Sequence, residues 1–304
     1  MEGESLALVL LALARWITYA GLFGLTGAVA CRGLLPAAII RDRSGRAAER
    51  QLVVIAGGSA ILLILGAAAR LYAQTWSVFG LDEPVTAELM RVIGVESRWG
   101  TWWRPQAGIA GLAAVAAGWW AWQPRIGWWM AAGAAASAWV TLPLTGHATS
   151  FGAQLPWIAQ IAHGIGAGLW VGTLAVVVAV SLQLVRGAEG HRRVSELVRR
   201  FSPLAVAAVV TIAASGVLTA VLYLDAIAEL WTTAYGRTLA LKVGLFAATG
   251  AVGAYNWRRV TPRLGNASGT AALLRSARLE LALAGVVLAV TAVLVHLAMP
   301  GEAG

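Results

Sequence analysis

The chain has 304 residues, 59% of them apolar and only 12% charged, about half the ~25% charge of a soluble globular domain. That composition excludes an ordinary soluble enzyme, and its ~180 apolar residues suffice for eight spans of the ~20 residues that a bilayer core demands. The net charge of +9 points to nucleic acid only where a water-exposed domain carries it; no long polar segment exists to build one, so no nucleic-acid partner is expected. A single cysteine, Cys31, excludes an intrachain disulfide and every CxxC-type metal or redox motif. The one lysine, Lys242, is followed by Val243 rather than the Ser or Thr of a Walker A loop, which excludes ATP-driven transport by this chain alone.

Apolar runs of spanning length fall at about 6–31, 51–76, 105–123, 127–147, 155–184, 203–224, 236–257 and 279–298. They predict an all-α integral membrane protein with eight transmembrane helices, organised as an N-terminal half (1–148) and a C-terminal half (149–304) in one integrated bundle. Glu2 and Glu4 precede the first run, which lacks a basic leader and exceeds the ~7–15 residues of a signal-peptide core; it is expected to remain as helix one. Arginines resist translocation, and the alternate loops are lopsided. Sixteen arginines, including Arg41, Arg43, Arg46 and Arg50 and the cluster Arg192, Arg193, Arg199 and Arg200, fall on one side. Only Arg91, Arg98 and Arg104 lie in loops on the other. Both termini are therefore expected outside the cytoplasm, on a face that also carries Asp82, Glu83, Glu88, Glu96, Asp225 and Glu229 and should attract cations. Twelve of the fifteen tryptophans sit near the two boundaries, Trp119, Trp120 and Trp122 among them, as interfacial belts require. Trp16, Trp139 and Trp170 fall inside spans and read as packing residues.

Three of the four histidines converge on the outer boundary. His147 lies 20 residues beyond Gly127, about 30 Å along helix four at 1.5 Å per residue. His296 is about 27 Å along helix eight from Arg278, and His163 about 10 Å below the outer end of helix five. Met299 shares a helical face with His296 if that helix persists, and Met90 lies in the outer loop. Imidazole with thioether suits copper, the thioether favouring Cu(I). The expected metal ligands are thus His163, His296, His147, Met299 and Met90, against the alternative that each histidine merely hydrogen-bonds a neighbouring helix.

The remaining polar features have plainer readings. His191, in an arginine-rich inner loop, is expected to be solvated, and Cys31 to be packing rather than a soft-ion acceptor. Gly164, Gly168 and Gly172 form a ridge that allows close helix approach, expected to hold His163 against a partner helix. Thr211, Ser215 and Thr219 are a stripe either lining an ion path or back-bonding to the preceding turn. Arg15 lies deep in helix one without a nameable partner; Lys242 is expected to snorkel outward or to pair with Asp225 or Glu229, and Glu280 to be a boundary residue.

Thr145–Ala148 (TGHA), His163–Leu174 (HGIGAGLWVGTL), Arg200–Gly216 (RFSPLAVAAVVTIAASG), Tyr235–Phe246 (YGRTLALKVGLF), Tyr255–Leu264 (YNWRRVTPRL) and Arg278–Leu283 (RLELAL) together resemble the copper resistance protein D (CopD) family of inner-membrane proteins. The likeness covers about 145–298, roughly half the chain; the first four helices fit the family length without a sharp motif. The resemblance implies copper handling at the bacterial inner membrane, as copper import from periplasm to cytoplasm, with copper ion in either oxidation state as the ligand. His163, followed by Trp170 and Gly172, matches the family histidine before its Trp-x-Gly stretch; Gly146 and His147 match the pair ending helix four, and His296 holds a family-like position. With about five residues before the first span, the sequence shows no fused copper-binding domain, so a separate periplasmic CopC-like protein is the expected partner. The protein is expected to be a transporter or metal-binding membrane protein rather than an enzyme.

Two other classes stay open on the sequence. His163 and His296, on separate helices at similar depth, meet the ligand count of a single-haem membrane cytochrome b. A structural subunit that docks another protein on its outer face would instead tolerate replacement of all three histidines.

Overall fold

The computed structural model describes residues 2–40, 42–80, 84–145, 154–185, 189–224 and 226–297. Among them every regular element is helical. The order is α1 (Glu2–Leu34), α2 (Ala37–Ile40), α3 (Arg43–Phe79), α4 (Ala87–Arg91) running into a π-helical turn Val92–Glu96, α5 (Arg98–Trp122), α6 (Pro124–Thr141) with a 3₁₀ turn Leu142–Thr145, and α7 (Gln154–Ala167). The π-helical turn Gly168–Gly172 joins α7 to α8 (Thr173–Leu184). There follow α9 (Gly190–Tyr223), α10 (Glu229–Thr232), α11 (Ala234–Tyr255) with the π-helical turn Asn256–Val260 and 3₁₀ turn Thr261–Arg263, and α12 (Ala267–Leu294).

Among the described residues, six helical stretches are long and apolar enough to cross a bilayer: Ser5–Leu34, Arg43–Phe79, Gln154–Leu184, Gly190–Tyr223, Ala234–Arg263 and Ala267–Leu294. The runs predicted at 105–123 and 127–147 do form helices, α5 and α6. However, Arg104, Gln106 and the indoles and glycines of α5 dilute its apolar character, and α6 has only 18 residues, Arg125 among them. Several helices outrun their predicted limits at the arginine-rich end of the bundle. α9 starts at Gly190, not near 203, and α12 at Ala267, not near 279. Apolar content marks the part of a helix that meets lipid, whereas the helix itself continues wherever backbone pairing does.

Helix starts are capped in one recurring way. Asp42, Ser97, Thr233 and Asn266 each accept the backbone N–H three residues on, from Gly45, Gly100, Gly236 and Gly269. In each case a Cβ on that glycine would collide with a carbonyl of the short helical turn that precedes it, so small residues there let the chain fold back tightly.

α1 is the central strut, packed against α3, α6, α8, α12 and the Gly168–Gly172 turn. Small residues set these approaches. Gly27 abuts the Gly172 carbonyl, Gly172 abuts that of Phe23, and Gly66 of α3 sits against Thr18. The Gly164–Gly168–Gly172 ridge thus packs tightly, but on Trp139 and α1; His163 faces a different helix. Trp139, as expected, is a packing residue: its indole donates to Thr26 Oγ1 (3.0 Å) and its ring lies 5.9 Å from that of Phe23.

The arginine-rich end is laced by polar contacts. Arg193 pairs with Asp42 and donates to Ser44 (2.6 Å), tying α9 to the α3 cap. Arg32 pairs with Glu49 (2.6 Å), and the Trp120 indole donates to the same carboxylate (2.8 Å). Trp120 is 0% exposed, so it is a core residue rather than a member of an interfacial belt. His191, expected to be solvated, lies 3.0 Å from Thr270 Oγ1 and joins the starts of α9 and α12. Cys31 is fully buried beside this cluster, as a packing residue should be.

Candidate metal site

His163 lies nine residues into α7, about 13 Å along its axis, and its ring is turned onto α9. Nδ1 is 3.1 Å from the Ile212 carbonyl and 3.2 Å from Ser215 Oγ. A carbonyl only accepts, so this contact requires the proton on Nδ1 and makes Nε2 the lone-pair nitrogen. Gly216 provides the space for the ring: a Cβ there would stand 3.4 Å from Cε1 and 3.6 Å from Nδ1. Ser215 is itself held by the Thr211 carbonyl (2.6 Å), with Thr211 and Thr219 back-bonded in the same manner to Ala207 and Ser215. The hydroxyl stripe therefore satisfies its own helix, and only Ser215 reaches a neighbouring group of the site. One turn along α7, Gln160 donates to the Tyr223 hydroxyl (2.6 Å). Lys242, eight residues into α11, lies at matching depth and interacts electrostatically with His163.

The other expected ligands are not gathered around His163. His296 lies past the end of α12, in a turn closed by its N–H to the Val293 carbonyl (3.0 Å). Because α12 stops at Leu294, the helical spacing that would put Met299 on the same face as His296 ends before either residue. His147 and Met299 themselves lie outside the described residues. Met90 is on α4, beyond the end of α3 and at the same end of the bundle as His296. Among the described residues no group of three or more His, Cys, Asp and Glu is placed to hold a metal ion. The acidic character of the α3–α5 connection is partly spent internally: Arg91 pairs with Glu88 (2.6 Å) and Glu96 (2.7 Å), and its hydrogen bond holds the Glu88 carboxyl below its ordinary range.

A second polar centre lies deeper and escaped the sequence reading. Glu280 is 4% exposed, not a boundary residue. Its Oε1 accepts from the Trp170 indole (3.1 Å) and its Oε2 from Asn256 Nδ2 (2.9 Å), while Gly253 leaves room for the carboxylate. Trp170 is also set edge-on to Phe246, 5.8 Å away. The signal available in the sequence was an acid, Glu280, inside the apolar run 279–298; a buried carboxylate needs donors such as these.

Comparison with known families covers both halves. The chain matches the family model for "Copper resistance protein D-like, N-terminal domain" over residues 5–157 and that for "Copper resistance protein D" over residues 195–294. The first match takes in the four helices in which no sharp motif was recognised. No curated protein and no solved structure matches it significantly. With a match over half its length by one model and a second over its C-terminal part, the chain is a multi-pass helical membrane protein of the copper resistance protein D family.

Proposed function

We propose that this protein imports copper from the periplasm to the cytoplasm of a bacterium, across the inner membrane. In this reading α5 and α6 also span, giving eight crossings with both termini outside and the arginine-rich end in the cytoplasm. Residues 1–148 and 149–304 work as one bundle around α1. Copper, delivered by a CopC-like periplasmic protein, is the cargo, captured by His163 with His147, His296, Met299 and Met90 drawn from the same end. Inward movement of a monovalent ion gains about 2.3 kcal/mol per 100 mV of inside-negative potential, so no nucleotide is needed.

The observation that carries the reading is the Nδ1 contact of His163 with the Ile212 carbonyl, which orients the ring and presents the lone pair of Nε2 as a ligand. Copper uptake into proteoliposomes tests it, comparing wild type with His163→Ala under an imposed potential. The expected result is potential-dependent uptake that the variant loses. Equal uptake by the two proteins would overturn the site; no uptake by wild type at any potential would overturn import.

A further inference from the structure

The α1–α3 interface contains two arginines that the copper reading does not use. Arg15 of α1 is 6% exposed and Arg70 of α3 is 5% exposed. Thr18 of α1 touches Gly66 of α3, a Cβ on Gly66 coming within 3.1 Å of Thr18 Cα. Arg15 lies one turn from Thr18, and Arg70 one turn from Gly66, in the same direction along these antiparallel helices. The two guanidiniums therefore share a level and repel each other electrostatically. Among the described residues, Arg70 is held by neutral acceptors and a ring, and interacts favourably with Tyr19. It donates to Gln106 Oε1 (2.5 Å) and Thr145 Oγ1 (2.6 Å), and its Cζ lies 5.8 Å from the centroid of the Trp99 ring. Gln106 spends its amide donor on the Thr141 carbonyl (2.7 Å).

Arg15 Nε is buried with no hydrogen-bond partner among the described residues. Among the described residues, no carboxylate forms an ion pair with either arginine. A cavity of about 30 Å³ adjoins Arg70, lined also by Thr18, Leu22, Leu63, Ala67 and Gln106; Arg15 does not line it but stands one turn from Thr18. Arginine does not shed its proton to escape burial, and an uncompensated buried charge is costly. Two such charges and an orphan donor call for the same partner.

We propose that Arg15 and Arg70 form an anion-binding site between α1 and α3, which takes a small monovalent anion such as chloride or the phosphate of an anionic lipid headgroup. The anion screens the two guanidiniums from each other and accepts from Arg15 Nε. The apolar remainder of the lining favours a weakly hydrated ion over sulfate or free phosphate.

The test uses the full chain in an uncharged detergent. Thermal unfolding of wild type, Arg15→Gln and Arg70→Gln is followed in sodium chloride and in sodium gluconate at equal ionic strength, with native mass spectrometry of co-purified lipid. Expected is either a wild-type midpoint that rises and saturates with chloride, as mass action requires, or an anionic phospholipid retained by wild type; each is lost in both variants. The first result assigns a free anion and the second a headgroup. Should the variants fail to fold, chloride NMR line broadening by wild type, reversed by iodide, serves instead. A wild-type protein with equal midpoints in the two salts, no broadening and no retained anionic lipid would overturn the proposal.

Discussion

Gly216 offers a way to move the His163 ring without removing it. A Cβ at this position stands 3.4 Å from Cε1 and 3.6 Å from Nδ1, ordinary contact distances, so Gly216→Ala should leave the ring in place. It should also stabilise α9 by about 0.5–1 kcal/mol through lower backbone entropy. Gly216→Leu adds three further carbons in the direction of the imidazole, which must swing off Ile212 and Ser215. The hydrogen bond that Nδ1–H shares between the two acceptors, worth about 0.5–1.5 kcal/mol, is then lost. If that bond holds Nε2 in its ligating pose, the loss appears as about 2- to 13-fold weaker binding, reaching the lower end of the ~10–100-fold typical of removing a metal ligand's supporting partner. The assay is competition for Cu(I) against a chromophoric chelator, with the purified protein in detergent. Wild-type affinity in the alanine variant and the stated loss in the leucine variant are expected. A leucine variant that folds and binds copper as wild type does would refute the idea that α9 positions this ligand.

Three further outcomes follow from contacts elsewhere in the bundle. Trp170→Phe removes the donor to Glu280 Oε1 and keeps the ring, so it should cost about 1–3 kcal/mol as a buried acceptor left unmet; an unchanged thermal midpoint would contradict that role. Asp42→Ala should cost about 0.5–2 kcal/mol as a lost helix cap. The Gly45 N–H, and then Arg193, hold the Asp42 carboxyl below its usual range, so its stabilisation is complete above the ordinary carboxylate value of about 3.9 and disappears as pH falls through the lower folded value. The gap in midpoint between wild type and the alanine variant should therefore close in acid, and a gap independent of pH would refute the ionised cap. Ser215→Ala should weaken copper binding by about 10-fold through the imidazole it supports, as measured by the same chelator competition.

The sequence disclosed the membrane helices because lipid demands long apolar runs, and it disclosed the end of the bundle to which His163, His296 and Met90 belong because counting residues along a helix measures depth. It missed the helical character of 190–202 and 267–278 because those segments are polar, and apolar content was the signal being followed. It also took Trp120, His191 and Glu280 for surface or boundary residues on the evidence of their neighbours in the chain.

What the sequence determined by itself is thus the solvent, the approximate spans, the charge asymmetry between the two ends and the family. The tertiary structure decided which faces meet: His163 against α9, Trp170 and Asn256 around Glu280, and Arg15 beside Arg70. In a soluble helix an apolar stripe names the buried face, but a helix in lipid is apolar all round. Its facing is set instead by where glycines allow backbones to approach and where buried polar groups find one another, and both are properties of pairs of helices.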